Sequence, residues 1–299
     1  MDLVPYRLSA SDVECATRVL NYQPFIVTPN IQTGAAYSWV YGVNVKSETP
    51  LVFKREEHRA EWDKITDANS RLRCMYDDFI DAIVQRYRGG SILDVACNNG
   101  YFPVRADLKG MKSCFGADGG SYFGDSVRFL NRILGTDVRF ISALYDPRSH
   151  VAPINGRYDV VCASAIMCHL PDPAHFLAFL GQLAKEAIFY FGQVVDTDAL
   201  LISYFKPHPA LGGGDMRFPY RFNDCTRLSR GLLYHGFEEM GFKNIVQLPW
   251  LTSWLSPYFY HLQSEPMLPN EPNPDVQHAW RVNAELTCGS KHVAVLAMR

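Results

Sequence analysis

The 299-residue sequence predicts an α/β fold: a doubly wound sheet of seven strands, mostly parallel, with an antiparallel last strand. Three observations lead there. From residue 91 onward, apolar runs of strand length alternate with stretches of helical periodicity. That pattern places helices on both faces of a parallel sheet. The run Ser91 to Val95 leads through a tight turn at Gly100 into a helix, which is half of a nucleotide-binding unit. Finally, residues 250–288 are Pro-rich and aromatic rather than a clean crossover helix, so the strand after them is expected to run antiparallel.

The elements follow in chain order. Residues 1–57 read as an N-terminal extension, with a helix candidate at Ser11 to Leu20 and then PFIVTPNIQTGAAYSWVYG. Residues 58–88 read as one or two helices, because Trp62, Ile65, Leu72, Met75, Phe79, Ile80 and Ile83 recur at helical spacing. SILDV (91–95) is rich in branched apolar residues without helical spacing, as a buried central strand should be. Six more strand candidates follow: KSCFGAD (112–118), DVRFIS (137–142), YDVVCAS (158–164), EAIFYFGQV (186–194), KNIVQL (243–248) and HVAVLAM (292–298). Helix candidates lie between most of them, at YFPVRADLK (101–109), GDSVRFLNRIL (124–134), PAHFLAFLGQLAK (173–185) and NDCTRLSRGLLYHGFEEMG (223–241). The main domain is therefore expected over 58–299, with the insertion at about 250–288.

Composition narrows the function classes. At 47% hydrophobic, the chain can bury one large core. A net charge of −2 gives no electrostatic footprint for a polyanion, which disfavours nucleic acid. The amino terminus lacks the order of a secretory signal. No uncharged apolar run reaches the roughly 20 residues of a membrane helix. The 8 cysteines contain no CxxC pair, which suits reduced thiols in a cytoplasmic protein. The histidines at 58, 175, 208 and 235 show no spacing for metal ligation, and no metal is expected.

Charge and spacing then select the nucleotide. A dinucleotide site uses G-x-G-x-x-G so that backbone can approach a pyrophosphate. Here the turn runs Asp94, Val95, Ala96, Cys97, Asn98, Asn99, Gly100, with one glycine and a carboxylate at its head. Such a carboxylate repels a pyrophosphate and suits a cation. The next strand ends on Asp118, 118 − 94 = 24 residues later. An acid at that strand tip can accept two hydrogen bonds from a ribose diol. An adenosine ligand that carries positive charge is S-adenosylmethionine.

These residues resemble the class I S-adenosylmethionine-dependent methyltransferases, over about residues 60–249 and the final strand. DVACNNG resembles the glycine-rich first motif and FGADGG the ribose-binding second motif. FISALYD is similar to the third-strand end that meets adenine, and YDVVCASAIMCHLPDP to the fourth strand and its following turn. The resemblance implies a Rossmann-like fold with S-adenosylmethionine as cofactor. It implies cofactor contacts from Asp94, Ala96, Cys97, Asn98, Gly100, Asp118, Gly119, Ala143, Leu144 and Ser164, and a catalytic candidate in His169. It also implies that residues 1–57 and the insertion grow into a substrate lid. The Cys-Asn-x-Gly form of the first motif is similar to the tRNA wobble-uridine modifying branch as well.

Departures from the family pattern qualify individual roles. Ala96 and Asn98 stand where glycine is common, though both are small and asparagine tolerates left-handed backbone. Ser142 stands where the family often carries an acid, which moves adenine contact to the backbone of Ala143 and Leu144. Cys168 replaces the usual Glu before His169, so no acid/base role carries over from that Glu. His169 either takes a proton from the acceptor or shapes the pocket. The expected reaction is methyl transfer to a small aromatic or apolar O- or N-nucleophile. The alternatives are a tRNA wobble-uridine (carboxy)methyltransferase, for which Arg217, Arg221, Arg227 and Arg230 would have to form a basic patch, and a non-catalytic binding subunit. An NAD-dependent oxidoreductase lacks its glycines.

Overall fold

The computed structural model describes residues 1–36, 51–145, 154–170, 172–204, 226–248 and 290–299. The stretch Tyr37 to Gly42, the basic residues Arg217 and Arg221, and the insertion at 250–288 lie outside the described residues. The described residues fall into two compact units, those within 1–145 in the first and those within 154–248 and 290–299 in the second.

The first unit opens with helix α1 (Ala10–Val19), which starts at a reciprocal capping box between Ser9 and Asp12. Three short antiparallel strands follow, β1 (Ile26–Thr28), β2 (Ile31–Thr33) and β3 (Val52–Lys54), in the order β1-β2-β3. Strands of three residues carry too little alternation to be read from sequence. Helix α2 (Trp62–Tyr87) is one continuous helix, and its buried stripe includes Ile65, Leu72, Met75, Tyr76, Phe79, Ile80 and Ile83. Next come β4 (Ser91–Val95), α3 (Tyr101–Leu108), β5 (Ser113–Asp118), α4 (Phe123–Leu134) and β6 (Arg139–Ser142). Strands β4, β5 and β6 pair in parallel. Two ion pairs tie α3 to α2: Arg105 clamps Asp77 at 2.8 and 2.9 Å, and Lys109 reaches Asp81 at 2.6 Å.

The second unit contains β7 (Tyr158–Ser164), a 3-10 turn at Met167–His169, α5 (Pro173–Leu183) and β8 (Ala184–Val195). Helix α5 starts where Asp172 accepts from the His175 amide at 2.9 Å and Pro173 takes the first helical position, which needs no donor. Then follow β9 (Ile202–Tyr204), β10 (Thr226–Leu228), α6 (Arg230–Glu239), β11 (Asn244–Gln247) and β12 (Ser290–Met298). The helix expected from residue 223 is corrected here. Thr226–Leu228 is a strand antiparallel to β9, and the helix begins only after Ser229, whose hydroxyl accepts from the Leu232 amide at 3.0 Å. A serine N-cap sets a boundary that apolar periodicity alone runs through.

The main sheet has seven strands in the order β11-β12-β8-β7-β4-β5-β6. Strand β7 pairs with β8 in parallel, and β12 lies antiparallel to both β8 and β11. The last strand therefore inserts between β8 and β11 in the reverse direction, as the missing crossover implied. Its central residues Val293 to Ala297 are fully buried, as are Ile188 and Phe189 opposite them.

Candidate functional site

The turn between β4 and α3 is built from strained backbone. Ala96 and Asn98 hold φ of 65° and 53°, and Gly100 holds 83°. A Cβ at Gly100 would lie 2.7 Å from Val127 Cγ2, so both the conformation and the space at this position call for glycine. Non-glycine residues in this region cost on the order of 1–3 kcal/mol each and persist where the surroundings over-determine them.

Those surroundings can be traced bond by bond. The Ala96 and Cys97 amides both donate to the Ala117 carbonyl, at 2.8 and 3.0 Å. The Asn98 amide donates to Asp118 Oδ2 at 3.0 Å, and the Asn99 amide to Asn98 Oδ1 at 2.8 Å. The Gly100 amide donates to the Cys97 carbonyl at 2.9 Å. The Tyr101 amide, at the first position of α3, donates to Gln23 Oε1 at 2.9 Å. Every backbone N–H from Ala96 to Tyr101 thus has an acceptor within the protein. A pyrophosphate at a helix N-terminus needs such amides turned toward it, and here the N-terminal segment supplies a neutral amide oxygen instead.

Asp94 is 2% exposed, and its Oδ1 is buried with no hydrogen-bond partner in the protein. Burial, and then repulsion from Asp118, hold its carboxyl well above the usual carboxylate range. A buried carboxylate that lacks a donor is costly unless a donor or cation arrives. Asp118 closes β5 with each carboxylate oxygen accepting one backbone N–H, Oδ2 from Asn98 and Oδ1 from Gly120 at 3.1 Å. Each oxygen keeps a second lone pair for a ligand hydroxyl. The Ala143 amide donates to the Asp118 carbonyl at 3.0 Å, so what Ala143 still offers is its carbonyl. Leu144 is 59% exposed, and its side chain lies over Gly119, where a Cβ would come within 2.8 Å of Leu144 Cδ1. Cys97 is fully buried, and burial pushes its thiol up, which makes it packing rather than a nucleophile.

Sequence reasoning missed how the N-terminal segment reaches this turn. Asn99 is fully buried, and its Oδ1 accepts from the Tyr22 and Gln23 amides at 3.0 and 3.2 Å. Its Nδ2 donates to the Val19 carbonyl and to Ser126 Oγ, each at 2.9 Å. Ser126 Oγ donates in turn to the Val19 carbonyl at 2.6 Å. Tyr76, buried on α2, has its phenol pushed up by burial and then by the nearby Tyr22 and Asp94. Val19, Tyr22 and Gln23 lie 76 or more residues from their partners Asn99 and Ser126, and no periodicity links them.

The second unit places Ser164 at the end of β7, half-buried, followed by Ala165 with φ of 55°. The Ala165 amide donates to the Phe191 carbonyl at 2.7 Å. The 3-10 turn then carries a buried Met167 and half-buried Cys168 and His169. Thr226, fully buried on β10, donates its hydroxyl to the Met167 and Leu170 carbonyls, at 3.2 and 2.7 Å, and so holds both ends of that turn. Burial and then Cys168 push the Tyr190 phenol up, while His292, stacked on Phe191 at 5.8 Å, is pushed down to about 3 by burial and then by Arg227. Of the four arginines considered as a basic patch, the two described are otherwise engaged. Arg227 is buried, and Arg230 pairs with Asp196 at 2.6 Å and Asp198 at 2.8 Å.

A family model described as a methyltransferase domain matches residues 68–247. Among curated proteins, the tRNA U34 carboxymethyltransferase of Nautilia profundicola is 28% identical over 111 residues, covering 37% of this chain and 34% of that protein. The enzyme of the same name from Vibrio atlanticus is 26% identical over 164 residues, covering 50% of this chain and 45% of that protein. The chain therefore matches less than half the length of these curated relatives. Among solved structures, a geranyl diphosphate methyltransferase in complex with SAM aligns with a TM-score of 0.53 at 13% identity, covering 79% of this chain and 89% of that one. At that identity the likeness is one of fold.

Proposed function

The chain belongs to the methyltransferase-domain family, and from that premise we propose that it moves the methyl group of S-adenosylmethionine to a small aromatic or apolar O- or N-nucleophile. The observation that carries the reading is the turn after β4. Its six amides are occupied, and a buried, unpartnered carboxylate oxygen of Asp94 stands at its head. A cationic adenosine ligand fits that donor set and a pyrophosphate does not.

When bound, S-adenosylmethionine supplies an electrophilic methyl group on a positively charged sulfur. The chain's own residues bind, orient and move the proton. Asp118 is proposed to hold the ribose hydroxyls with its two spare lone pairs. Asp94 favours positive charge at the head of the turn, and Ala96, Cys97, Asn98 and Gly100 shape the wall beside it. Gly119, Ala143, Leu144 and Ser164 are proposed to border the adenosine. His169 is proposed to take the acceptor's proton, a role that alignment alone makes dispensable for an unprotonated amine.

Two substitutions test these roles. Asp118→Ala should lower affinity for S-adenosylhomocysteine by roughly tenfold to several hundredfold, since charge-assisted bonds are worth about 1.5–3 kcal/mol each. His169→Ala should keep that affinity while transfer of isotope-labelled methyl to extracted acceptors drops by about 10²–10⁴-fold at neutral pH. Equal loss of cofactor binding in both variants would contradict the assignment of roles.

A second reading, modification of the tRNA wobble uridine, is supported by the two tRNA U34 carboxymethyltransferases that the chain resembles. The net charge of −2 and the ion-paired state of Arg230 favour the small acceptor.

A further inference from the structure

The N-terminal segment meets the cofactor turn through five side-chain hydrogen bonds that a hinged cover would not need. Asn99, inside the turn, fixes the backbone of Val19, Tyr22 and Gln23. Gln23 answers by capping the first amide of α3, and Ser126 on α4 closes the loop onto Val19. We propose that Asn99 and Gln23 are positioning residues for the cofactor, so that residues 19–23 are a fixed wall of the cofactor site. The proposal rests on the methyl-donor reading above and assigns the N-terminal segment a part in it.

The physical case begins with strain. Ala96 and Asn98 sit at positive φ without being glycine, and such residues stay there only when several contacts agree. The Asn99 amide bonds to Asn98 Oδ1, so the strained residue and the docking residue share one hydrogen-bond chain. That chain continues from the Asn98 amide to Asp118 Oδ2, the carboxylate proposed to grip the ribose. Releasing Val19, Tyr22 and Gln23 would leave buried donors and acceptors unpaired on both sides. The turn would then lose the constraint that holds Asn98, and through Asn98 the orientation of Asp118. Gln23 acts at a second point. An N1 amide left open would invite water or an anion to the helix terminus, whereas the Gln23 oxygen fills that place at 2.9 Å. Tyr22, carried by the same segment, is 39% exposed and lies within electrostatic reach of Tyr76, itself within reach of Asp94.

Isothermal titration of S-adenosylhomocysteine into the full chain tests the proposal, with Asn99→Ala, Gln23→Ala and Gln23→Glu beside the parent protein. Asn99→Ala and Gln23→Ala should each weaken Kd by about tenfold to a hundredfold, at unchanged stoichiometry. Gln23→Glu, which keeps an acceptor for the Tyr101 amide, should recover most of the affinity lost in Gln23→Ala. A merely structural role would reduce the number of competent sites per chain and leave the Kd of the remainder at the parent value. That result would overturn the proposal, as would parent-like affinity in the alanine variants. If Asn99→Ala fails to fold, the Gln23 pair decides alone, because it removes or restores one acceptor. No heat with the parent protein would instead contradict the methyl-donor reading itself.

Discussion

Asp94 carries the sharpest consequence at the scale of a single residue. Its carboxyl is raised by burial first and by Asp118 second. A carboxyl with a folded pKa above its unfolded value binds its proton more tightly when folded. Stability is then lost as pH rises from about 4, the unfolded value, through the folded one. In the ligand-free protein, Asp94→Asn should melt higher than the parent at mildly alkaline pH, and the difference should shrink as pH falls toward about 4. The same variant should bind S-adenosylmethionine more weakly, because the site loses the negative charge that favours the cationic ligand. Thermal melts across pH with and without the ligand check both halves. A difference that does not vary with pH would mean that Asp94 is already ionised and satisfied. The places of Asp94 in β4, Gly100 before α3 and Asp118 at the end of β5 were legible from the sequence, because residue type, spacing and strand ends mark them. Asn99, Gln23 and Tyr22 were not, since their roles arise from hydrogen bonds between residues 76 or more apart.

Among elements, the strands of the main sheet stood out because branched and aromatic apolar residues group at strand length between helical stretches. SILDV and YDVVCAS match β4 and β7 residue for residue. The others differ by no more than two residues at either end. The small strands β1, β2, β3, β9 and β10 escaped notice, being three residues long with no period to detect. Of these, β10 matters most, because Thr226 supports the turn that carries His169. Thr226→Val removes a buried donor and takes from the Leu170 carbonyl its hydroxyl partner, while the Met167 carbonyl keeps the Leu170 amide, which should destabilise the chain by about 1–3 kcal/mol. In the folded variant, turnover should fall while affinity for S-adenosylhomocysteine holds. Loss of affinity without loss of turnover would separate this turn from the acceptor's chemistry.

At the scale of the whole molecule, the family model over residues 68–247 places the chain in its family, and the sheet order and direction give its fold. No described helix is long and apolar enough to cross a membrane. Cys15, Cys74, Cys97, Cys114, Cys162 and Cys168 carry thiols rather than disulfides. Fold and family leave the acceptor open, since one sheet hosts many acceptors through its variable segments. The choice of cofactor, by contrast, is proposed to lie in the turn. Isothermal titration of the intact chain with S-adenosylhomocysteine and, separately, with NAD tests this most directly. The account predicts saturable heat at one site per chain with S-adenosylhomocysteine and none with NAD. Heat from NAD with none from S-adenosylhomocysteine would contradict it.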